Sequence, residues 1–140
     1  MIMDKRGENF ISQIDESFYT AYSKSTWWID SGATIHVANC LQGFHSTRTT
    51  QGRGITIRVA NGVEVEVEGI GDLSLKLDSG FDLLLRDIFY IPSLQRNLIS
   101  VNKLDDDDGF DYHFRNGRCV IRYNDMIFTT AFIFNDLYLL

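Results

Sequence analysis

Apolar and polar residues alternate most regularly between positions 55 and 91. Ile55, Ile57 and Val59 alternate with Thr56 and Arg58, and Val63, Val65 and Val67 alternate with Glu64 and Glu66. A period of two marks a strand with one buried face. Register selects the loop between the two runs. A turn of Asn61-Gly62 alone would set Val59 against Glu64 and mix the faces. The longer loop Ala60-Asn61-Gly62 sets Val59 against Val63, Ile57 against Val65 and Ile55 against Val67, with Arg58 opposite Glu64 on the other face. It also puts Gly62 where a left-handed residue is needed. A second hairpin follows the same logic: Leu73, Leu75 and Leu77 face Phe81, Leu83 and Leu85. Its loop is Asp78-Ser79-Gly80, which pairs Leu77 with Phe81 and Leu75 with Leu83. Gly69 and Gly71 between the hairpins predict a bend in one long strand. Ile88 to Ile91 continues the sheet, and Pro92, which has no N–H to donate, ends it.

The flanks are less regular. Trp27-Trp28-Ile29 reads as a short buried strand that stops at Asp30-Ser31-Gly32. Residues 1–26 are polar and read as a linker or flexible arm, with at most a short helix between Phe10 and Tyr22. Leu98, Val101 and Leu104 have helical spacing and predict a short helix over Arg96–Leu104. Asp105 to Asp108 reads as a solvated acidic loop, because it lacks the alternating ligands and the distal Glu of a calcium loop. From Phe110 onward, Asn116-Gly117, Asn124-Asp125 and Asn135-Asp136 separate short apolar stretches as turns would. The chain thus divides into the arm, a body at 27–109 and a short β-rich extension at 110–140. The fold class is mainly β with one short helix, a small barrel or sandwich.

Composition narrows the function. The 140 residues, 44% apolar and 23% charged, suit one globular domain with a real core. The net charge of −6 argues against a nucleic-acid-binding face. No apolar run is long enough for a membrane span, and Met1 to Phe10 has no signal-peptide core. The expectation is a cytoplasmic protein or a piece of a larger polyprotein, with neither nucleic acid nor membrane as a direct partner. Cys40 and Cys119 are too few for a disulfide framework and are expected to be reduced. His36, Cys40 and His45, even with Cys119 as a remote fourth ligand, match no compact zinc motif. No metal or cofactor is expected.

Candidate chemistry rests on Asp-Ser-Gly, which occurs twice. The copy at 78–80 is accounted for as a hairpin loop. The copy at 30–32 follows an apolar strand, and no matching strand pairs back across it. A carboxylate there could activate water if a second carboxylic acid beside it polarised a scissile carbonyl. Two like carboxyl groups sharing a proton fill both roles. With one such loop per chain, the pair must come from a two-fold dimer. Ser31 could brace the loop against its mate, and Gly32 permits close approach. A Ser31–His36 nucleophilic triad is disfavoured, since the Gly-x-Ser-x-Gly elbow is missing. Trp27 and Trp28 read as strand and dimer packing.

Several stretches in order carry a resemblance over residues 27–140. They are Trp28-Ile29-Asp30-Ser31-Gly32-Ala33-Thr34-Ile35-His36, Val59-Ala60-Asn61-Gly62, Gly69-Ile70-Gly71-Asp72, Leu85-Arg86-Asp87-Ile88-Phe89-Tyr90-Ile91-Pro92, Arg96-Asn97-Leu98-Ile99-Ser100-Val101 and Asn135-Asp136-Leu137-Tyr138-Leu139. Together they resemble the protease region of copia-type LTR-retrotransposon polyproteins, within the retropepsin-like aspartic proteases. The resemblance implies a closed antiparallel acid-protease barrel acting as a homodimer on its own Gag-Pol-type polyprotein, within cytoplasmic virus-like particles. It implies Asp30 as the catalytic carboxylate, Ser31, Gly32 and Ala33 as the active-site loop, and Val59, Ala60, Asn61, Gly62 and Val63 as a substrate-binding flap. The 110–140 extension would lead toward the next polyprotein segment. The chain departs from the retroviral pattern at Thr34, where a second Asp usually pairs with the helix Arg, and at Gln95, where a Gly usually precedes it. The alternative is an inactive relic of the same fold that serves as a dimerisation or peptide-binding module.

Overall fold

A computed structural model describes residues 10–11, 26–59, 61–105, 109–134 and 137–140. Its strands are β1 (Phe10–Ile11), β2 (Trp27–Asp30), β3 (Val37–Ala38), β4 (Phe44–Thr49), β5 (Thr56–Val59), β6 (Glu64–Glu66), β7 (Gly69–Lys76), β8 (Asp82–Tyr90) and β9 (Asn97–Ser100). A short helix α1 (Val101–Asp105) follows, then β10 (Phe110–Arg115), β11 (Arg118–Tyr123), β12 (Met126–Phe134) and β13 (Leu137–Leu139). Among the described residues the strands form a three-stranded sheet, β1-β5-β6, and a ten-stranded sheet, β10-β11-β12-β13-β2-β9-β3-β8-β7-β4.

Both hairpins take the register that the alternation dictates. Ile57 faces Val65 and Arg58 faces Glu64. Val59 N–H donates to the Val63 carbonyl at 3.0 Å, and Gly62 sits at φ +84°. The Arg58 guanidinium lies 3.5 Å from the Glu64 carboxylate. Leu75 faces Leu83, Leu77 N–H donates to Phe81 at 2.9 Å, and Gly80 closes the loop at φ +91°. Between the hairpins the chain does more than bend. Val67 and Glu68 leave the small sheet, and β7 enters the large one at Gly69. A register shift between Gly71 and Leu73 then accommodates Asp87 at φ +53°, its N–H held by Asp72 Oδ1 at 2.9 Å.

The C-terminal extension is a meander. Asn116-Gly117 and Asn124-Asp125 are two-residue turns with both residues at positive φ, the geometry whose twist matches adjoining strands. The Asn135-Asp136 turn lies outside the described residues. Far from standing apart, the meander continues the main sheet, for β13 pairs antiparallel with β2, Leu139 opposite Trp28.

Two expectations need correction. Arg96–Leu104 is not one helix: Asn97–Ser100 is a strand parallel to β2, and only Val101–Asp105 is helical. Every residue of β9 is buried. Buried on both faces and reading Asn-Leu-Ile-Ser, the strand carries no period of two to reveal it. The sheet is also not a closed antiparallel one. β2 with β9 and β3 with β8 run parallel, and β10 and β4 end the described sheet without pairing to each other. Within the expected N-terminal arm, the described Phe10–Ile11 is a short strand running parallel to β5. The rest of 1–25 and the acidic positions 106–108 lie outside the described residues.

Two cores flank β2. Trp27 and Ile29 join Leu73, Leu83, Leu85, Ile88, Ile99 and the meander's Cys119, Ile121 and Ala131. Trp28 joins Ala33, Ile35, Val37, Leu98 and the hairpin residues Ile57, Val59 and Val67. Each fully buried Val, Leu or Ile among them contributes roughly 1.5–3 kcal/mol. Because the period of a strand is two, adjacent tryptophans serve opposite cores.

Candidate active site

The connected strands β2 and β3 are not neighbours; β9 lies between them. Residues 31–36 must therefore arch over the C-terminal end of β9. Asp30 is the last residue of β2 and is paired with Ser100, the last of β9. The loop is closed locally by Gly32 N–H, which donates to Asp30 Oδ1 at 2.8 Å, and by Ala33 N–H to the Asp30 carbonyl at 3.4 Å. This is the aspartate's habit of bonding its own backbone two residues on.

Asp30 is only 4% exposed. Its Oδ2 is buried and has no hydrogen-bond partner among the described residues. Burial raises its pKa above the ordinary carboxylate value, and the Gly32 N–H opposes that rise only in part. The group thus holds its proton more readily than a solvent-exposed aspartate does.

Ser100, fully buried, braces the arch. Its hydroxyl donates to the Ala33 carbonyl at 2.6 Å and accepts Lys103 N–H at 3.2 Å, capping α1. Its own N–H donates to His36 Nδ1 at 2.9 Å. An imidazole that accepts at Nδ1 is neutral and carries its proton on Nε2. Burial, reinforced by the charge of Lys103, lowers the His36 pKa to about 4. Neither role follows from the sequence pattern, which offers His36 as a metal ligand or triad member and sets Ser100 inside the expected helix. The available signal was the polar Ser100 closing a buried apolar stretch immediately before a helix, the position of a cap.

Asn97 holds the other end of β9. Its Oδ1 accepts Asn39 N–H at 2.9 Å, and its Nδ2 donates to the Thr26 carbonyl at 3.1 Å. Arg96 stays buried by laying its guanidinium over the Trp28 ring, 4.1 Å from the centroid. An aromatic face of this kind rewards a desolvated guanidinium by about 2 kcal/mol.

The remaining candidate residues separate. Ser31 is exposed and Gly32 half-buried. Ala33 is buried in the core beside Trp28. Val59 is packed in that core too, while Asn61, Gly62 and Val63 are exposed, Val63 to 53%; Ala60 lies outside the described residues. The apolar face of this hairpin therefore rests on Trp28, Ile35 and Leu98, and only its tip is open. Among the described residues, no three or more His, Cys, Asp or Glu side chains converge as a metal site would require, and His45 is exposed on β4. Cys40 and Cys119 are free; burial raises the Cys119 thiol to about 11. No helix among the described residues is long and apolar enough to cross a membrane.

Among the described residues, fold and site define a mainly β domain with one short helix and a buried aspartate, Asp30, at the end of a buried strand. A family model described as Pol polyprotein, beta-barrel domain, matches residues 27–110, and the chain belongs to that family. The retrovirus-related Pol polyprotein from transposon TNT 1-94 of Nicotiana tabacum is 28% identical over 129 residues, 92% of this chain and 10% of that protein. Those from transposons RE1 and RE2 of Arabidopsis thaliana are each 33% identical, over 66% and 59% of this chain and 6% of each relative. The chain thus spans a tenth or less of the curated relatives it matches. No solved structure matches it.

Proposed function

We propose that the chain is an aspartic endopeptidase with a retropepsin-like arrangement, one catalytic Asp30 per protomer, which cleaves its own polyprotein as a homodimer. The observation that carries this reading is the Asp30 carboxyl: buried, its pKa raised by that burial, and with Oδ2 unmatched among the described residues. A buried oxygen without a partner is costly and calls for an explanation. A second carboxyl sharing one proton supplies it. In that pair one carboxylate takes a proton from water as the water attacks the peptide carbonyl, and the other, protonated, polarises the carbonyl oxygen. The pair titrates as a unit, with activity highest at mildly acidic to near-neutral pH. Ser31, exposed beside it, would meet the opposing loop, and the exposed Asn61, Gly62 and Val63 would contact a bound peptide.

A second reading has its own support. In the single chain Asp30 is already buried, the lid-like hairpin rests on the body's core, and β13 occupies the edge of β2. These features fit an inactive module of the same fold that dimerises or binds peptide. Incubating a longer precursor with and without Asp30→Asn separates the two. Loss of processing in the variant, with dimers seen by sedimentation, supports the protease. Equal processing in both, or none in either, defeats it.

A further inference from the structure

Resting on Asp30 as the catalytic carboxylate, we propose that His36 is a positioning residue: its neutral imidazole latches the loop 31–36 to Ser100 and so fixes Asp30. Three points of the loop converge on that one buried serine. Its start, Asp30, is paired with Ser100 in the sheet. Its middle, the Ala33 carbonyl, accepts the Ser100 hydroxyl at 2.6 Å. Its end, His36 Nδ1, accepts the Ser100 N–H at 2.9 Å.

Topology explains why a side chain is needed there. β3 pairs with β9 only at Val37 and Leu98, so it does not reach Ser100. The Ser100 N–H is buried beyond the end of that ladder, and a buried donor left unpaired is costly. The imidazole supplies the acceptor that β3 does not. His36 is itself held from the opposite side, because its carbonyl accepts Phe89 N–H at 2.9 Å. The residue thus ties β8 to β9 across the loop's closing end. Since Ser100 also caps α1 through Lys103 N–H, strand, helix and loop share one anchor. The charged group that acts on the latch is Lys103 on α1. A protonated imidazole has no lone pair for Ser100, so only the neutral Nε2–H tautomer closes the latch.

Nitrogen-resolved histidine NMR on the full wild-type chain tests this without any variant. His36 is expected to show an unprotonated Nδ1 and a protonated Nε2 at neutral pH; a protonated Nδ1 overturns the latch. Two substitutions then separate positioning from bulk. His36→Asn keeps a side-chain acceptor and is expected to leave the Gly32, Ala33 and Ser100 amide resonances near their wild-type positions. His36→Leu keeps the volume without the acceptor. It is expected to shift those resonances and to lower kcat on a peptide about tenfold or more, with KM little changed. A folded His36→Leu chain with unmoved resonances and wild-type kcat refutes the proposal. If the wild type cleaves nothing, the reading of Asp30 fails, while tautomer and amide shifts still decide the latch.

Discussion

At 30–32 the tripeptide Asp-Ser-Gly leaves a strand that is buried throughout; at 78–80 it joins two strands at an open hairpin tip. Asp30 is buried and its carboxyl is shifted by that burial, whereas Asp78 is exposed. Ser31 faces outward with its hydroxyl open to solvent or to a partner, while Ser79 Oγ donates to the Phe128 carbonyl at 2.6 Å and ties the hairpin tip to the meander. The first loop is closed by the aspartate side chain through Gly32 N–H. The second is closed by backbone, Gly80 N–H to the Leu77 carbonyl at 2.9 Å. The same three residues thus form either a candidate site or a turn, and what decides is the topology beneath them. Only the first copy arches over the end of a buried strand.

The sharpest way to break this contrast is to remove each carboxylate in turn. Asp30→Asn keeps the acceptor for Gly32 N–H but cannot serve as the ionised member of a carboxyl pair. Precursor processing should fall below detection, while Asp78→Asn should process at the wild-type rate, as gel analysis over a time course would show. The same Asp30→Asn substitution should stabilise the isolated fold near neutral pH. A raised carboxyl pKa means that the folded chain holds the proton more tightly than the unfolded one, so its contribution is present below the ordinary value of 3.8 and is lost as pH rises through the folded value. An asparagine escapes that loss.

His36 should give the opposite slope. Its folded pKa of about 4 lies below its ordinary 6.5, so the neutral form is favoured by folding. Its contribution is complete above pH 6.5 and is lost as pH falls toward 4, by roughly 3 kcal/mol in all. Urea unfolding across that range should show the decline in the wild type and a flatter curve in His36→Asn. Equal slopes would place the pH dependence elsewhere than in the loop.

The hairpin registers were legible because each had one buried face and one exposed face, so a slip of one residue would have exposed every valine or leucine. The meander's turns were legible because Asn-Gly and Asn-Asp take positive φ at little cost. The strand β9 was not, since Asn97-Leu98-Ile99-Ser100 is buried on both faces and has no period of two. β4, reading Phe44-His45-Ser46-Thr47-Arg48-Thr49, was missed for the converse reason: it is an exposed edge with little apolar content. At the site, Asp30 stood out as a carboxylate at the end of an apolar strand. The latch did not, because His36 and Ser100 are separated by 64 residues and meet only through the insertion of β9.

Gly80 tests the second copy as a turn. At φ +91° with open space around the Cβ position, Gly80→Ala meets no steric neighbour and only backbone strain. It should cost about 1–2 kcal/mol in urea unfolding and leave processing unchanged. A larger loss, or a loss of processing, would mean that the hairpin tip contributes to the site after all.

Ser79→Ala is the smallest and most local test. Its hydroxyl reaches across to the Phe128 carbonyl, but Phe81 stacks on Phe128 at 5.1 Å and holds the same two elements together. The serine is exposed, so water can replace the lost donor at the carbonyl. The expected cost is therefore about 0.5–1 kcal/mol, at the low end for a single hydrogen bond. Ser100→Ala should cost clearly more, because its hydroxyl is fully buried and serves two partners, the Ala33 carbonyl and Lys103 N–H. Chemical denaturation of the two variants side by side measures the difference. If Ser79→Ala proved as costly as Ser100→Ala, the two copies of the tripeptide would be anchored with equal strength, and burial beneath the loop would no longer distinguish site from turn.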